Sequence, residues 1–178
     1  MEPKSDIECV VATLDGRIEY FGTLVERYSA RIRRLVGGMV GSSDDADDLT
    51  QEIFVQAWTK LDTFRRRSSF STWLYRIAYN TTISALRRKR LPVAEIDDRR
   101  MESIEEEEEL RRFDDADIDL LSRALDHLRP NERVAVEMFY RDDCSLSAVG
   151  EVLGITEGNA KVVLHRARRH LAAEMATR

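Results

Sequence analysis

Only three prolines and eight glycines occur among the 178 residues, about half the usual combined share. So few breakers exclude a turn-rich β sandwich or barrel and favour long uninterrupted helices. Cysteine is scarcer still: Cys9 and Cys144 have neither the density of a disulfide scaffold nor the spacing of metal ligands, and they read as reduced thiols. The three histidines, His127, His165 and His170, give no pair at metal-ligand spacing, so a zinc site is excluded. No apolar run approaches the roughly 18 residues of a membrane span, and Met1 to Asp6 lacks the basic flank and apolar core of a signal peptide. No membrane insertion and a cytoplasmic location are therefore expected. The chain also lacks a phosphate-binding glycine loop and a nucleophile with its base, so neither an enzyme nor a cofactor is expected.

What the sequence has in quantity is charge, 34% of all residues, and its distribution is uneven. Residues 1–90 carry 15 Lys+Arg against 12 Asp+Glu, a balance of +3. Residues 91–117 carry 4 against 12, a balance of −8, and residues 118–178 carry 9 against 9. The overall net charge of −5 hides this segregation. Between Asp62 and Glu95 there is no acidic residue, while Arg65, Arg66, Arg67, Arg76, Arg87, Arg88, Lys89 and Arg90 are all basic. A second acid-free run, Gly158 to Ala173, holds Lys161, Arg166, Arg168 and Arg169. The segment 91–117, with Pro92 and the run Glu105 to Glu109, has no sustained apolar period and reads as an acidic flexible linker. It is either a solvated spacer or an imitation of nucleic acid for a basic channel on a partner.

Apolar periodicity predicts an all-α protein of two small helical domains, 1–90 and 118–178, joined by that linker. In the first domain, Ile18, Phe21, Leu24, Val25, Tyr28, Ile32 and Leu35 predict an amphipathic helix that Gly37 and Gly38 should stop. A second helix is expected from a Ser43/Asp44 cap to about Leu61, with Ala46, Leu49, Ile53 and Ala57 buried. Asp48, Gln51, Glu52 and Val55 then form another face, a solvated surface or a docking surface for a basic partner. A third helix is expected from a Ser71 or Thr72 cap, with Leu74, Ile77, Ala78, Thr81 and Ala85 in the core. Its opposite edge gathers Trp73, Arg76, Asn80, Ser84 and Arg87, side-chain types that read bases and phosphates. The preceding loop, Phe64, Arg65, Arg66, Arg67, Ser68, Ser69 and Phe70, is basic, aromatic and hydroxyl-rich, suited to holding an unpaired base.

In the second domain a helix is expected over Ile118 to Leu128, and Pro130 suits the first turn of another running to about Tyr140. A helix-turn-helix pattern follows. Gly150 lies four residues before the turn glycine Gly154, Thr156 caps the next helix, and Ala160, Val163, Leu164, Ala167 and Leu171 form its core face. Lys161, Val162, His165, Arg166, Arg168 and Arg169 face outward, as a helix entering a DNA major groove should.

Three ordered motifs carry a family resemblance: Asp44-Asp45-Ala46-Asp47-Asp48-Leu49-Thr50-Gln51-Glu52-Ile53-Phe54, Phe70-Ser71-Thr72-Trp73-Leu74-Tyr75-Arg76-Ile77-Ala78-Tyr79-Asn80, and Leu164-His165-Arg166-Ala167-Arg168. Together they resemble the bacterial extracytoplasmic-function (ECF) sigma factors, over about Ile18 to Arg90 and Ile118 to Leu171. The resemblance implies region 2 and region 4 domains that bind core RNA polymerase, at its β′ clamp helices and β flap, and direct it to promoter DNA. It implies that Asp48, Gln51, Glu52 and Val55 dock on the clamp helices. Phe64, Arg65, Ser68, Ser69, Trp73, Tyr75, Arg76, Asn80, Ser84 and Arg87 are then the minus-ten set, and Asn159, Lys161, Val162, His165, Arg166 and Arg169 the minus-thirty-five set. It also implies a cognate anti-sigma factor and a linker that threads toward the RNA exit channel.

The chain departs from the family pattern at Gly158-Asn159-Ala160-Lys161-Val162-Val163, where Gly-Thr-Val, a basic residue, Ser and Arg are common, and at Arg66-Arg67, where a Gly and a small or acidic residue are common. Val162 near the middle of the outward face suits a thymine methyl. The rival to a sigma factor is a stand-alone dimeric helix-turn-helix regulator, in which the Phe64 to Arg87 edge has no purpose.

Overall fold

The computed structural model describes residues 5–89 and 123–176. The expected linker at 91–117 and the first five residues of the helix expected from Ile118 lie outside the described residues. Every regular element among the described residues is helical. The chain divides into two compact units, Met1–Leu91 and Pro92–Arg178, and no helix among the described residues is long and apolar enough to cross a membrane.

The first unit begins with a helix that periodicity did not predict, α1 (Asp6–Leu14). Its start is a capping box: the Ser5 hydroxyl accepts the Glu8 N–H, and the Glu8 carboxylate accepts the Ser5 N–H at 2.7 Å. Cys9, Val10 and Ala12 are buried, which covers the Cys9 thiol. Asp6 accepts hydrogen bonds from Arg27 at 2.5 Å and from the Tyr28 hydroxyl, joining α1 to α2 (Glu19–Val40). Burial, reinforced by the Asp6 carboxylate, raises the Tyr28 phenol well above its ordinary range.

Helix α2 corrects two expectations. It starts after Ile18, which is exposed, and it runs through Gly37 and Gly38 to end at Gly41, whose φ of 70° closes it in the left-handed conformation. Each interior glycine costs roughly 1 kcal/mol of intrinsic helix preference. The buried Leu35 and Val36 and the packing of Gly37 over Ala46, 3.7 Å from an added Cβ, outweigh that cost.

Helix α3 (Ser43–Thr59) is capped by Ser42 rather than Ser43 or Asp44, and a 3-10 turn, Leu61–Thr63, follows it. Helix α4 (Phe70–Arg88) is capped by Ser69, whose hydroxyl accepts the Thr72 N–H at 3.1 Å. The caps lie one residue or more earlier than expected because the hydroxyl must reach the third backbone N–H of the helix. Helices α2, α3 and α4 pack on one another around Leu24, Ile32, Ile53, Leu74 and Ala78.

In the second unit residues 123–126 are helical. Helix α5 (Pro130–Val136) begins with Pro130 in its first turn and continues as a π-helical turn, Glu137–Arg141. Helix α6 (Leu146–Leu153) is capped by Ser145 and ends at Gly154, with φ 71°, before α7 (Glu157–Ala176). Three ionisable groups, Glu132 and Arg133 of α5 and Glu137 of the π-helical turn, are buried. Arg133 Nε lies 3.2 Å from Glu137 Oε1, close enough for an ion pair but without a hydrogen bond between those two atoms, and Glu132 lies 3.0 Å from His170 Nδ1 of α7.

Candidate nucleic-acid interface

The α3 face is built as the helical period requires. With Ala46, Leu49, Ile53 and Ala57 buried, Asp48, Gln51, Glu52 and Val55 are all exposed. Two other acidic residues of its first turns have structural partners: Lys89 holds Asp45 at 2.7 Å and Arg33 holds Asp47 at 2.5 Å. A hydrogen bond from the cation beside each lowers both carboxyls below their ordinary values. Val55 is 64% exposed, and one turn on, Trp58 is 45% exposed with its ring edge-on to Phe21 at 5.0 Å. Trp58 was not singled out from the sequence, although continuing the i, i+3 series from Val55 reaches it.

Between α3 and α4 lies a groove of about 440 Å³. Glu52, Gln56, Lys60 and Thr63 line one side, and Trp73, Arg76, Asn80 and Ser84 line the other. Arg76, Asn80 and Ser84 are exposed, and Arg87 is exposed one turn further on. The third-helix edge thus brings a guanidinium, an amide and a hydroxyl to one concave surface. Gln56 and Lys60, absent from the sequence-derived set, face them.

Three rings of the minus-ten set are buried. Phe64 and Trp73 are each 7% exposed and Tyr75 only 2%. Phe64, Phe70 and Trp73 form an aromatic cluster with centroid separations of 5.4 to 5.9 Å. Phe64 turns inward because the loop is anchored at both ends by apolar burial, and Tyr75 lies on the core side of α4. Trp73 reaches the groove only as part of its wall. Arg65 is exposed, Ser68 half-buried, and the Ser69 hydroxyl serves as the α4 cap, also bonding Thr72 Oγ1 at 2.9 Å.

In the second unit the α6–α7 turn is closed at Gly150. Its carbonyl accepts the Ile155 N–H at 2.9 Å, and the Thr156 hydroxyl accepts the Asn159 N–H at 3.2 Å, capping α7. Ala160, Val163, Leu164, Ala167 and Leu171 are buried. Lys161 and Arg169 are exposed, while Asn159, Val162, His165 and Arg166 are half-buried on the remaining surface. Arg168 lies near Tyr140, where it partly offsets the burial that raises the Tyr140 hydroxyl.

The first unit thus presents an exposed acidic helix face beside a polar groove, and the second a helix-turn-helix whose second helix carries Lys161, Arg166, Arg168 and Arg169. Comparison with known families shows what carries these features: sigma-70 region 2 matches residues 24–91 and sigma-70 region 4 matches residues 118–171. The chain is 32% identical over 175 residues to the ECF RNA polymerase sigma factor SigW of Bacillus subtilis, covering 90% of this chain and 91% of that one. It is 30% identical over 177 residues to the ECF RNA polymerase sigma-E factor of Escherichia coli K12, covering 94% and 92%. In fold it is similar to CnrH, solved in complex with the cytosolic domain of CnrY, with a TM-score of 0.68, 24% identity and 96% of each chain covered. It is also similar to the sigma factor RpoE of Bartonella quintana, solved with the anti-sigma factor NepR, with a TM-score of 0.66, 24% identity and 89% and 98% covered. The chain belongs to the ECF sigma factors of the sigma-70 family. It directs RNA polymerase to promoters as a non-enzymatic subunit, and the stand-alone dimeric regulator gives way to that membership.

Proposed function

We propose that residues 1–90 dock on core RNA polymerase and open the minus-ten element, while residues 118–178 read the minus-thirty-five element. Asp48, Gln51, Glu52 and Val55 are the contact with the β′ clamp helices. Their shared exposure on α3, with Trp58 extending the apolar part, supports this. Carboxylates steer a basic partner and the apolar side chains exclude water at the centre of the contact.

The observation that carries the minus-ten assignment is the convergence of Arg76, Asn80 and Ser84 on the α3–α4 groove. An unstacked base entering it meets an amide and a guanidinium, each able to make paired hydrogen bonds to a base edge. Arg65 and Arg87, both exposed, and Ser68, half-buried, are further contacts with the same strand. On α7, Asn159, Lys161, Val162, His165, Arg166 and Arg169 enter the major groove, with Val162 selecting a thymine methyl and shifting minus-thirty-five preference from the common family motif. The β flap holds this unit at its place on the polymerase. A cognate anti-sigma factor, of the kind that NepR is to RpoE of Bartonella quintana, covers the α3 face and controls a cytoplasmic pool of the protein.

A net charge of −5 denies the free protein the broad phosphate neutralisation that drives independent DNA binding. Promoters selected from a randomised library therefore bind the reconstituted holoenzyme well and the free protein poorly at physiological salt. Tight, sequence-specific duplex binding by the free protein contradicts this division of labour.

A further inference from the structure

Where the chain leaves α4, the first unit carries a second hollow, of about 340 Å³. Val40 of α2, Leu49 of α3 and Ala85 and Leu86 of α4 give it an apolar floor. Leu49, Ala85 and Leu86 are buried and Val40 half-buried, so helix packing fixes that floor. Asp45 and Asp48 of α3, with Arg88 and Lys89 at the end of α4, form the rim. The Lys89 ammonium holds the Asp45 carboxylate at 2.7 Å. That pair ties the end of α4 to the start of α3, so the hollow is formed before anything binds and little ordering is left to be done on association.

The rim charges indicate what fits. Lys89 neutralises Asp45 and Arg33 neutralises Asp47, whereas among the described residues no hydrogen bond or ion pair engages Asp48 or Arg88, both exposed. A nucleic-acid backbone gains nothing from an apolar floor, and the carboxylates beside it repel phosphates. A protein surface with an apolar side chain between one basic and one acidic group satisfies each feature: the floor covers the apolar group, Asp48 takes the base and Arg88 takes the acid. The hollow is continuous with the exposed α3 face, because Asp48 belongs to both. A partner lying on that face therefore reaches the hollow as well.

We infer that core RNA polymerase, in docking on α3, seats an apolar side chain in the hollow between Val40, Leu49, Ala85 and Leu86, with a basic group against Asp48 and an acidic group against Arg88. The inference rests on the α3 docking reading above. It is tested in the full chain with Ala85→Leu, which fills the hollow, and with Arg88→Glu, at an exposed position where folding does not depend on the side chain. Each competes against unmodified protein for purified core polymerase beside Val55→Asn, and unfolding midpoints are recorded for all three. Ala85→Leu unfolds at or above the parent midpoint, since the added atoms enter open space, yet binds core about fivefold or more weakly, the loss of an interface anchor. Arg88→Glu binds core about tenfold or more weakly, because like charges then face each other. Once saturated with core polymerase, Ala85→Leu binds a fork-junction promoter DNA like the parent. Core binding at the parent level in Arg88→Glu, or in a folded Ala85→Leu, overturns the inference when Val55→Asn is weakened and leaves the α3 reading standing. Core binding at the parent level in all three variants overturns the α3 reading itself. Unchanged core binding with weakened fork binding in Ala85→Leu makes DNA the occupant and overturns the inference.

Discussion

A Cβ placed on Gly150 falls 2.8 Å from the Ile155 carbonyl oxygen, while the Gly150 carbonyl accepts the Ile155 N–H at 2.9 Å. The turn that aims α7 therefore closes only around a residue without a side chain. Gly150→Ala forces backbone apart and should cost about 1–3 kcal/mol in the second unit. Both tryptophans, Trp58 and Trp73, lie in the first unit, so the two units can be followed separately. Denaturant unfolding by circular dichroism should show an earlier transition in the variant, with the tryptophan-fluorescence transition unmoved.

The groove separates residues for reading DNA from residues for holding the fold. Asn80→Ala, at an exposed position, should change stability by no more than about 0.5 kcal/mol and lower initiation by roughly tenfold or more, the scale of a lost base contact. Trp73→Ala removes a ring from the Phe64–Phe70–Trp73 cluster and should cost about 3–5 kcal/mol. Thermal unfolding beside run-off transcription distinguishes the two. Equal destabilisation by both substitutions contradicts the assignment of Asn80 to the surface.

Polymerase docking through α3 predicts a different separation. Val55→Asn leaves the unfolding midpoint close to the parent's, because Val55 is 64% exposed, yet weakens core polymerase binding in a competition assay against unmodified protein by about tenfold, as loss of a central contact would. Trp58→Ala should weaken binding as well and also lose part of the edge-on contact with Phe21, worth about 0.5–1.5 kcal/mol.

Asp45 and Asp47 make stability depend on acid pH in a stated direction. Lys89 and Arg33 lower the carboxyl pKa of these two groups in the folded protein, so the unfolded chain binds protons more readily. The stabilisation is fully present above the unfolded value of about 3.9 and is lost as pH falls through the lowered folded values. Unfolding midpoints measured between about pH 6 and 2 should fall less steeply for the Asp45→Asn, Asp47→Asn double variant. Parallel curves would show that the pairs contribute nothing, as exposed pairs sometimes do.

The helical class and the α3 and α7 faces were legible because one apolar stripe leaves the opposite side by subtraction: Ala46, Leu49, Ile53 and Ala57 fix where Asp48 and Val55 point. Periodicity failed where tertiary packing decides. Gly37 and Gly38 read as a stop, but burial of Leu35 and Val36 carries α2 past them to Gly41. The short α1 escaped notice, though Ser5 and Glu8 spell its capping box. An arc drawn at 100° per residue put Trp73 outside the core, whereas a large ring at the edge of an arc folds back onto Phe64 and Phe70. Nothing in residue spacing showed that Gln56 and Lys60 of α3 would face Arg76 and Asn80 of α4, because that depends on how the two helices pack.

Run-off transcription with purified bacterial core RNA polymerase on selected promoter DNA, with and without this protein, tests the central claim most directly. Initiation should require the protein, survive Arg168→Ala, and fall by roughly tenfold or more with Arg76→Ala, Asn80→Ala or Arg166→Ala in proteins that unfold like the parent. Protein-dependent initiation that is indifferent to all three of those substitutions would contradict the placing of promoter recognition on the α3–α4 groove and on α7.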